Sequence, residues 1–322
     1  MTIPPVVVQT ARFGWHWQWQ RLMGGLGPAD ADGNYQRPIS DHLSAEVPER
    51  ADLEARSVHE RPLLILGRSC PWAHRSWLLH NLRELNGTIN LVMARADHQG
   101  GRWVLDPPWN HCTTLLDLYR HCGAPPSYRA TVPVLVDPIH PRILCNDSAP
   151  MVELLSQWPN GAADELNPPD RQASIQTWQT LLQPAVNDGV YRCGFARNQA
   201  AFNRAESALF AALERVENSL RDGGPWLCGE RLTLADVRLF PTLIRWETVY
   251  APLFGCSRTP LWQFPQLWDW RRRFFEQPGV KDTCDASAWR QDYFGALFPL
   301  NPGGIVPSAP ELTRLVTGPI PQ

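Results

Sequence analysis

The sequence predicts an α/β domain followed by an all-helical domain. Two short apolar runs, residues 63–66 and 89–93, flank a stretch with helical spacing, which is typical of a β-α-β unit with parallel strands. Residues 172–190 and 199–221 instead carry apolar side chains every three or four positions, which predicts amphipathic helices. The predicted division is an N-terminal extension over residues 1–57, an α/β domain over 58–157, a Pro- and Gly-rich linker over 158–170, a helical domain over 171–300 and a C-terminal tail over 301–322.

Composition and charge exclude several classes of protein. At 322 residues the chain is long enough for two domains with a sizeable core. Its formal net charge of −2 and the absence of Lys/Arg runs argue against a nucleic-acid partner. No apolar run reaches the length of a membrane span, and residues 1–30 lack the apolar core of a signal peptide. The eight cysteines are scattered without regular spacing, so we expect reduced thiols in a cytoplasmic protein.

The most informative stretch surrounds Cys70. A predicted strand ends at Gly67, and Pro71 fits the first position of a following helix, where its missing N–H costs nothing. Cys70 is therefore expected at the helix N-terminus, where unpaired N–H groups and the helix dipole favour a thiolate. The alternative is a buried, inert cysteine, which is the usual state of a free thiol. The order of strand, tight turn, Cys-Pro and helix favours a reactive nucleophile.

The fourth position of the motif indicates which thiol chemistry follows. Ala73 stands where a C-x-x-C redox pair would have its second cysteine. Without a nearby resolving thiol, Cys70 would form a mixed disulfide that an external thiol must resolve. Glutathione is the abundant candidate for that thiol.

Residues 1–57 are predicted to form an extension that wraps on the main body. Aromatic and polar residues alternate over residues 13–19, which is typical of an extended segment, and Trp15, Trp17 and Trp19 are expected to anchor it. Residues 24–37 and 46–60 are predicted to form loop and short helix. A partner-binding arm is the less favoured alternative, because exposed aromatic patches are rare on soluble monomers.

Several side chains of the α/β domain are candidates for ligand contact. Trp103 is predicted in a Gly- and Pro-rich loop, where its ring could cover a ligand, and a helix is predicted over residues 113–121. Valines alternate like a strand around Pro133, and a cis peptide bond before Pro133 would explain a proline there. Residues 142–148 are predicted as its hairpin partner and polar turn.

That polar turn has two interpretations. Asn146, Asp147 and Ser148 are predicted to cap a helix over residues 150–157. Such a helix start can also hold an amino-acid head group, with its carboxylate on the N–H groups and its ammonium on Asp147. Spacing alone favours neither plain capping nor ligand binding.

Two His-Cys pairs raise the possibility of a metal site. They are His111-Cys112 and His121-Cys122, and their separation matches no common zinc pattern. We therefore predict no metal and assign these residues to packing or surface roles.

The second domain is predicted to be helical throughout. Besides the two helices named above, helices are expected over residues 234–250 and 265–276. Thr233 and Asp236 have the spacing of a capping box, which makes Asp236 structural and not catalytic. The tail over residues 301–322 is Gly/Pro-rich and is predicted to be non-helical.

The motifs together resemble those of a known family. The chain resembles members of the glutathione transferase superfamily. Within that superfamily it is most similar to the xi class, the glutathionyl-hydroquinone reductases. The shared runs lie at residues 70–75, 128–135, 146–148, 186–195, 234–245 and 301–307. The resemblance implies a thioredoxin-like N-terminal domain, an all-helical C-terminal domain and a homodimer.

The resemblance also implies roles for individual residues. Cys70 would be the nucleophile, and Tyr191 and Tyr293 would contact the hydroquinone hydroxyls. The ring carbon that leaves must be protonated, and a tyrosine hydroxyl such as that of Tyr191 is a reasonable donor. The side chains of Trp103, Arg129, Asp147 and Ser148 and the backbone of Val132 would hold glutathione. The sequence departs from the family pattern at Asp147, where Glu is usual, and at Phe294, where a second Tyr is usual. The carboxylate of Asp147 has a shorter reach than that of Glu, and the sequence leaves open whether this weakens glutathione binding.

The activity implied is reduction of glutathionyl-hydroquinones through a Cys70–glutathione mixed disulfide, with glutathione as co-substrate. The alternatives are an omega-like thiol transferase or dehydroascorbate reductase, conventional conjugation of glutathione to an electrophile, and a binding protein on a transferase scaffold. A cysteine at this position suits conjugation poorly, and a scaffold has no need of a reactive thiol. His74 lies one turn along the helix from Cys70 and is interpreted as a packed or solvent-facing residue outside the site.

Overall fold

The computed structural model describes residues 3–38, 41–159 and 166–318. Within these residues six strands form one mixed sheet in the order β4-β3-β2-β1-β5-β6. The strands are β1 (Leu63–Gly67), β2 (Asn90–Asp97), β3 (Arg102–Trp109), β4 (Cys112–Thr114), β5 (Val134–Asp137) and β6 (Arg142–Cys145). The predicted β-α-β unit is confirmed, because β1 and β2 pair in parallel. The hairpin of β5 and β6 is confirmed as well, and β5 pairs antiparallel with β1.

Strands β2, β1, β5 and β6 form the thioredoxin-like core, and β3 and β4 extend the sheet beyond β2. The prediction of a loop around Trp103 is wrong, because Trp103 lies in β3 and pairs with Ala96 of β2. Its hydrophobic neighbours Val104 and Leu105 alternate sides as strand residues do. The stretch predicted as a helix from residue 113 begins as strand β4, and Thr114 then caps the helix with Asp117 in a capping box.

Three helices follow strands of this domain. They are α3 (Pro71–Leu82), α4 (Leu115–His121) and α5 (Ser148–Ser156), and a short helix α2 (Arg50–Ala55) precedes β1. Helix α3 is buried on nearly all sides, because it packs against β1 and α5 in its own domain and against the helical domain. Helix α5 begins at Ser148, two residues earlier than predicted, since Asp147 supplies the N-cap.

The second domain is helical, as predicted. Its helices are α6 (Gln172–Leu182), α7 (Gly189–Gly194), α8 (Gln199–Gly223), α9 (Leu234–Leu243), α10 (Ala251–Phe254), α11 (Pro265–Phe275) and α12 (Ala286–Ala296). The helices predicted over 172–190 and 234–250 are each interrupted by a π-helical turn, Gln183–Asn187 and Trp246–Tyr250. Pro184 has no N–H for the α-helical ladder, which is one physical reason for the first interruption. Asp236 is structural, as predicted: it is buried and closes the capping box with Thr233.

The N-terminal extension differs from its prediction. Residues 13–19 are not extended but lie in helix α1 (Pro5–Leu26), where Trp15 and Trp19 are one turn apart on one face. Trp15 and Trp17 do not anchor it, since they are 48% and 59% exposed, whereas Trp19 packs on the core. The extension wraps on the body further along: Ser44 bridges to Cys145 of β6.

The C-terminal tail was predicted to be non-helical, but it contains helix α13 (Leu312–Thr317). Leu315 and Val316 are buried and their carbonyls accept hydrogen bonds from arginines of α11, which gives the short helix a place to dock. The predicted linker over 158–170 lies partly outside the described residues, at 160–165. No helix of the described residues is long and apolar enough to cross a membrane.

Candidate active site

Cys70 lies at the N-cap of α3, as predicted. Its N–H donates to the carbonyl of Gly67 at 3.1 Å, which closes the tight turn after β1. The half-buried Sγ donates to the carbonyl of Val132 at 3.7 Å. The peptide bond between Val132 and Pro133 is cis, which confirms that prediction. The turn and the cis-proline loop thus hold the thiol between two fixed pieces of backbone.

The prediction that the helix N-terminus makes this thiol deprotonate easily needs correction. Burial raises the pKa of Cys70 above its ordinary value. The N–H groups of Ala73 and Trp72 and the charges of Arg245 and Arg37 act in the opposite direction and offset burial only in part. The helix terminus therefore favours the thiolate, but the desolvation of the site outweighs it.

A cavity of about 620 Å³ opens beside Cys70 between the two domains. Cys70 itself is not among the described residues that line the cavity, but its neighbours Trp72 and Val132 are. The N-terminal extension contributes a third wall, through Tyr35, Arg37 and His42. Of the residues predicted for the site, the cavity lining brings together Arg129, Val132, Asp147, Ser148 and Tyr191.

The start of α5 forms one end of this cavity. The Oδ1 atom of Asp147 accepts from the N–H of Ala149 at 3.0 Å, so the helix-capping interpretation is confirmed. The Oδ2 atom of Asp147 lies 3.5 Å from Nδ1 of His42. Arg129 is exposed on the opposite loop, and Ser148 stands in the first turn of α5. Capping and ligand binding are compatible here, because the carboxylate also faces the cavity.

Trp103 is not among the described residues that line the cavity. Its ring instead packs over Gly67 at the end of β1. A Cβ atom at position 67 would lie 2.5 Å from that ring, so the close approach requires glycine. Trp103 therefore supports the strand that leads into the Cys70 turn, and its contact with glutathione stays a prediction.

Three tyrosine hydroxyls meet on the helical-domain side of the cavity. The hydroxyl of Tyr293 is 2.6 Å from that of Tyr191 and 3.2 Å from that of Tyr250. Trp72, two residues after Cys70, stacks on the Tyr191 ring with centroids 6.4 Å apart. Burial raises the pKa of all three tyrosines, so each hydroxyl keeps its proton at neutral pH. Tyr191 faces the cavity, and the other two lie behind it.

Comparison with known proteins agrees with this geometry. Residues 199–273 match the model of the glutathione S-transferase C-terminal domain. The glutathionyl-hydroquinone reductase YqjG of Escherichia coli K12 is 31% identical over an alignment that covers 78% of this chain and 80% of that protein. PcpF of Sphingobium chlorophenolicum, which has the same descriptive name, is 32% identical over 77% of this chain and 82% of that protein.

The chain belongs to the glutathionyl-hydroquinone reductase family. Solved structures agree: the xi glutathione transferase of Phanerochaete chrysosporium superposes with a TM-score of 0.79 at 29% identity, covering 88% of this chain and 94% of that one. The glutathione-bound YqjG structure superposes with a TM-score of 0.72 at 30% identity, over 79% of this chain and 86% of that one. The predicted resemblance and fold are confirmed.

Two residues of the site were not identified from the sequence, Tyr250 and Arg37. Tyr250 ends a stretch predicted as plain helix, and no local signal distinguished it from a packing residue. Arg37 belongs to the extension, and its guanidinium stands 3.7 Å over the Trp72 ring and 2.6 Å from a carboxylate oxygen of Asp188. It joins the extension to both domains at the cavity. In the described part of the chain, no group of His, Cys, Asp and Glu is placed to hold a metal ion.

Proposed function

We propose that the protein reduces glutathionyl-hydroquinones, with Cys70 as nucleophile and Tyr191 as proton donor. One observation carries the proposal: Trp72 and Val132, which flank the thiol of Cys70 at the N-terminus of α3, and Tyr191, the outermost member of the buried tyrosine cluster, line the same interdomain cavity. The cysteine supplies a thiolate, and the hydroxyls supply the proton that a carbon leaving group needs. Membership in the family supports the same reaction.

In the first half-reaction the Cys70 thiolate attacks the sulfur of the substrate's glutathionyl group. A disulfide bond forms between Cys70 and glutathione, and the bond between sulfur and the ring carbon breaks. The electron pair of that bond goes to the ring carbon, which takes a proton from the hydroxyl of Tyr191. The hydrogen bond from Tyr293 stabilises the phenolate left on Tyr191 until solvent returns the proton. The products are the hydroquinone and the mixed disulfide.

In the second half-reaction the thiolate of free glutathione attacks the glutathione sulfur of the mixed disulfide. Oxidised glutathione leaves, and Cys70 returns as a thiolate. Ala73 stands where a resolving cysteine would be, so the external thiol is required for turnover. For each hydroquinone released, one molecule of free glutathione and the glutathionyl group of the substrate thus end as one molecule of oxidised glutathione.

For glutathione itself we propose the contacts that the resemblance implied. The backbone of Val132 would bind the cysteinyl part of the peptide, as cis-proline loops present free backbone groups. Asp147 and Ser148 would hold the amino-acid head group at the start of α5, and Arg129 and Trp103 would complete the site. We also propose a cytoplasmic homodimer without a bound metal.

An omega-like thiol transferase is the second candidate, because it needs the same monothiol chemistry. A protein named glutathione S-transferase omega-like 2 in Schizosaccharomyces pombe is 28% identical over 87% of this chain and 94% of that protein. A thiol transferase releases a sulfur leaving group, which needs no carbon acid. The tyrosine cluster therefore favours the hydroquinone reaction.

The test is the intact mass of the protein after incubation with glutathionyl-menadiol and no free glutathione. Wild type is expected to gain one glutathionyl group and release menadiol, and Cys70→Ala is expected to gain none. Cys122→Ala, which removes another half-buried thiol, is the matched control and should behave as wild type. Full turnover in Cys70→Ala without any adduct on wild type would refute the mechanism.

A further inference from the structure

A fully buried arginine lies beneath the Cys70 turn. Arg245 follows α9 in the helical domain, and its side chain reaches into the thioredoxin-like domain. One guanidinium nitrogen donates to the carbonyl of Pro241 at 2.9 Å, and the other to the carbonyl of Arg68 at 3.4 Å, two residues before Cys70. The guanidinium also stands 4.1 Å over the ring of Trp289. The charge is therefore fixed in place from both domains.

The neighbouring histidine does not neutralise this charge. The Thr283 hydroxyl donates to the carbonyl of Val280 at 2.6 Å, so it accepts from Nε2 of His74 at 2.7 Å. This arrangement leaves Nδ1 of His74 to accept from Arg245 at 2.8 Å. Burial and the charge of Arg245 lower the pKa of His74 well below its ordinary value. His74 is a neutral, packed acceptor, which agrees with leaving it out of the catalytic residues.

Three other buried arginines have a carboxylate partner, whereas Arg75 donates to the amide oxygen of Gln183 at 3.3 Å. Arg56 is 2.8 Å from Asp137, Arg238 is 2.8 Å from Glu153, and Arg271 is 2.7 Å from Glu247. Across the three described ranges, no carboxylate oxygen lies within 4.0 Å of Arg245. Its Nε has no hydrogen-bond acceptor, a property that it shares with Arg56, Arg238 and Arg271. Burying a charge without its counter-ion is costly. A cost of this kind at an active site indicates that the counter-ion forms during the reaction.

We propose that Arg245 is a positioning residue that supplies the fixed positive charge for the thiolate of Cys70. The proposal rests on the proposed function only in taking Cys70 as the nucleophile. The negative charge created on Cys70 is the counter-ion that the resting protein lacks. The charge of Arg245 also lowers the pKa of Tyr250 and Tyr293, against the effect of burial. It therefore makes it easier for the tyrosine cluster to donate a proton.

Other charges act on Cys70 as well, so the loss of Arg245 is expected to have a partial effect. The charged and titratable groups that face Cys70 are Arg37 from the extension, His74 and Arg75 from α3, and Tyr191, Tyr250 and Arg245 from the helical domain. Arg37 is already paired with Asp188, and Arg75 donates to Gln183. Of the arginine charges that favour the thiolate, that of Arg245 has the largest effect.

The experiment measures alkylation of Cys70 by iodoacetamide as a function of pH, on the free protein, with peptide mass spectrometry to assign the label. Arg245→Gln is expected to raise the apparent pKa of Cys70 by about one unit, which is a tenfold slower reaction at neutral pH. Arg245→Lys keeps the charge and is expected to stay within about threefold of wild type.

Arg271→Gln is the matched control. Arg271 is equally buried, bonds to backbone carbonyls and stands 4.3 Å over a tryptophan ring, but it is paired with Glu247. Its loss should lower stability without changing the alkylation profile. An unchanged pKa of Cys70 in folded Arg245→Gln overturns the proposal. If Arg245→Gln does not fold, a rise of one full unit in the pKa of Cys70 in folded Arg245→Lys overturns the proposal. Either result leaves the glutathione-adduct test of wild type intact, so the two proposals fail separately.

Discussion

Replacing Tyr191 by Phe isolates the proton donor with little change in packing. The ring keeps its stack on Trp72 and its contact with Phe254, whose centroid is 5.4 Å away. The variant loses one hydroxyl and the 2.6 Å hydrogen bond to Tyr293, which still has Tyr250 as a partner at 3.2 Å. Loss of one such hydrogen bond costs about 1 kcal/mol of stability. A general acid contributes about 10² to 10⁴ in rate, so we expect a drop of at least about 100-fold in hydroquinone release.

The two half-reactions separate this effect from a general loss of function. Single-turnover release of hydroquinone should fall, whereas attack of glutathione on preformed Cys70–glutathione disulfide should keep its wild-type rate, because that step protonates no carbon. Tyr119→Phe is the control: it also removes a buried hydroxyl, one that donates to the carbonyl of Thr131 at 2.8 Å. Hydroquinone release within threefold of wild type, or an equal loss in both half-reactions, would show that Tyr191 is not the acid.

Two further substitutions test the walls of the site. Arg37→Ala should raise the KM for glutathione several-fold, because Arg37 lines the cavity beside Cys70. The Tm should change little, because its ion pair with Asp188 is worth at most about 1 kcal/mol at a side chain that is 40% exposed. Arg50→Ala, at an exposed arginine paired with Glu54, is the control, and an unchanged KM in Arg37→Ala would show that Arg37 does not contribute to glutathione binding. Gly67→Ala should lower the free energy of unfolding in urea by about 1–3 kcal/mol, because the added Cβ clashes with the ring of Trp103. Gly24→Ala is the control and should not lower it, because a Cβ there meets no atom within 4 Å. Equal stability of the two variants contradicts the packing argument.

The Cys70 turn was predictable because its signals are local. A buried strand, a Cys-Pro pair and a helical pattern each depend on a few adjacent residues, and together they place the thiol at the helix N-terminus. Helix α1 was not predictable in this way. Trp15, Trp17 and Trp19 alternate as residues on one face of a strand do, and Trp15 and Trp19 are also one helical turn apart. Local periodicity therefore could not distinguish a strand from a helix. Tyr250 and Arg37 reach the site through long-range contacts that no local pattern records.

The raised pKa of Cys70 was missed for a related reason. Helix position can be read from the sequence, whereas desolvation depends on what covers the thiol. Here residues far from Cys70 along the chain act on the thiol, among them Arg245 of the helical domain and Arg37 of the N-terminal extension. A local argument therefore gave the effect of the helix N-terminus and omitted the larger effect of burial.

The π-helical turn after α9 connects these long-range features. It runs over Trp246–Tyr250, with Arg245 at its N-cap, and the N–H of Tyr250 donates to the carbonyl of Arg245 at 3.3 Å. In a regular α-helix two residues five apart point about 140° away from each other. The wider turn brings them closer in direction, because hydrogen bonds from residue i to i+5 place such residues one above the other. The turn thus lets one segment supply both the charge beneath Cys70 and a hydroxyl of the tyrosine cluster, so the nucleophile and the proton donor depend on the same interruption of a helix.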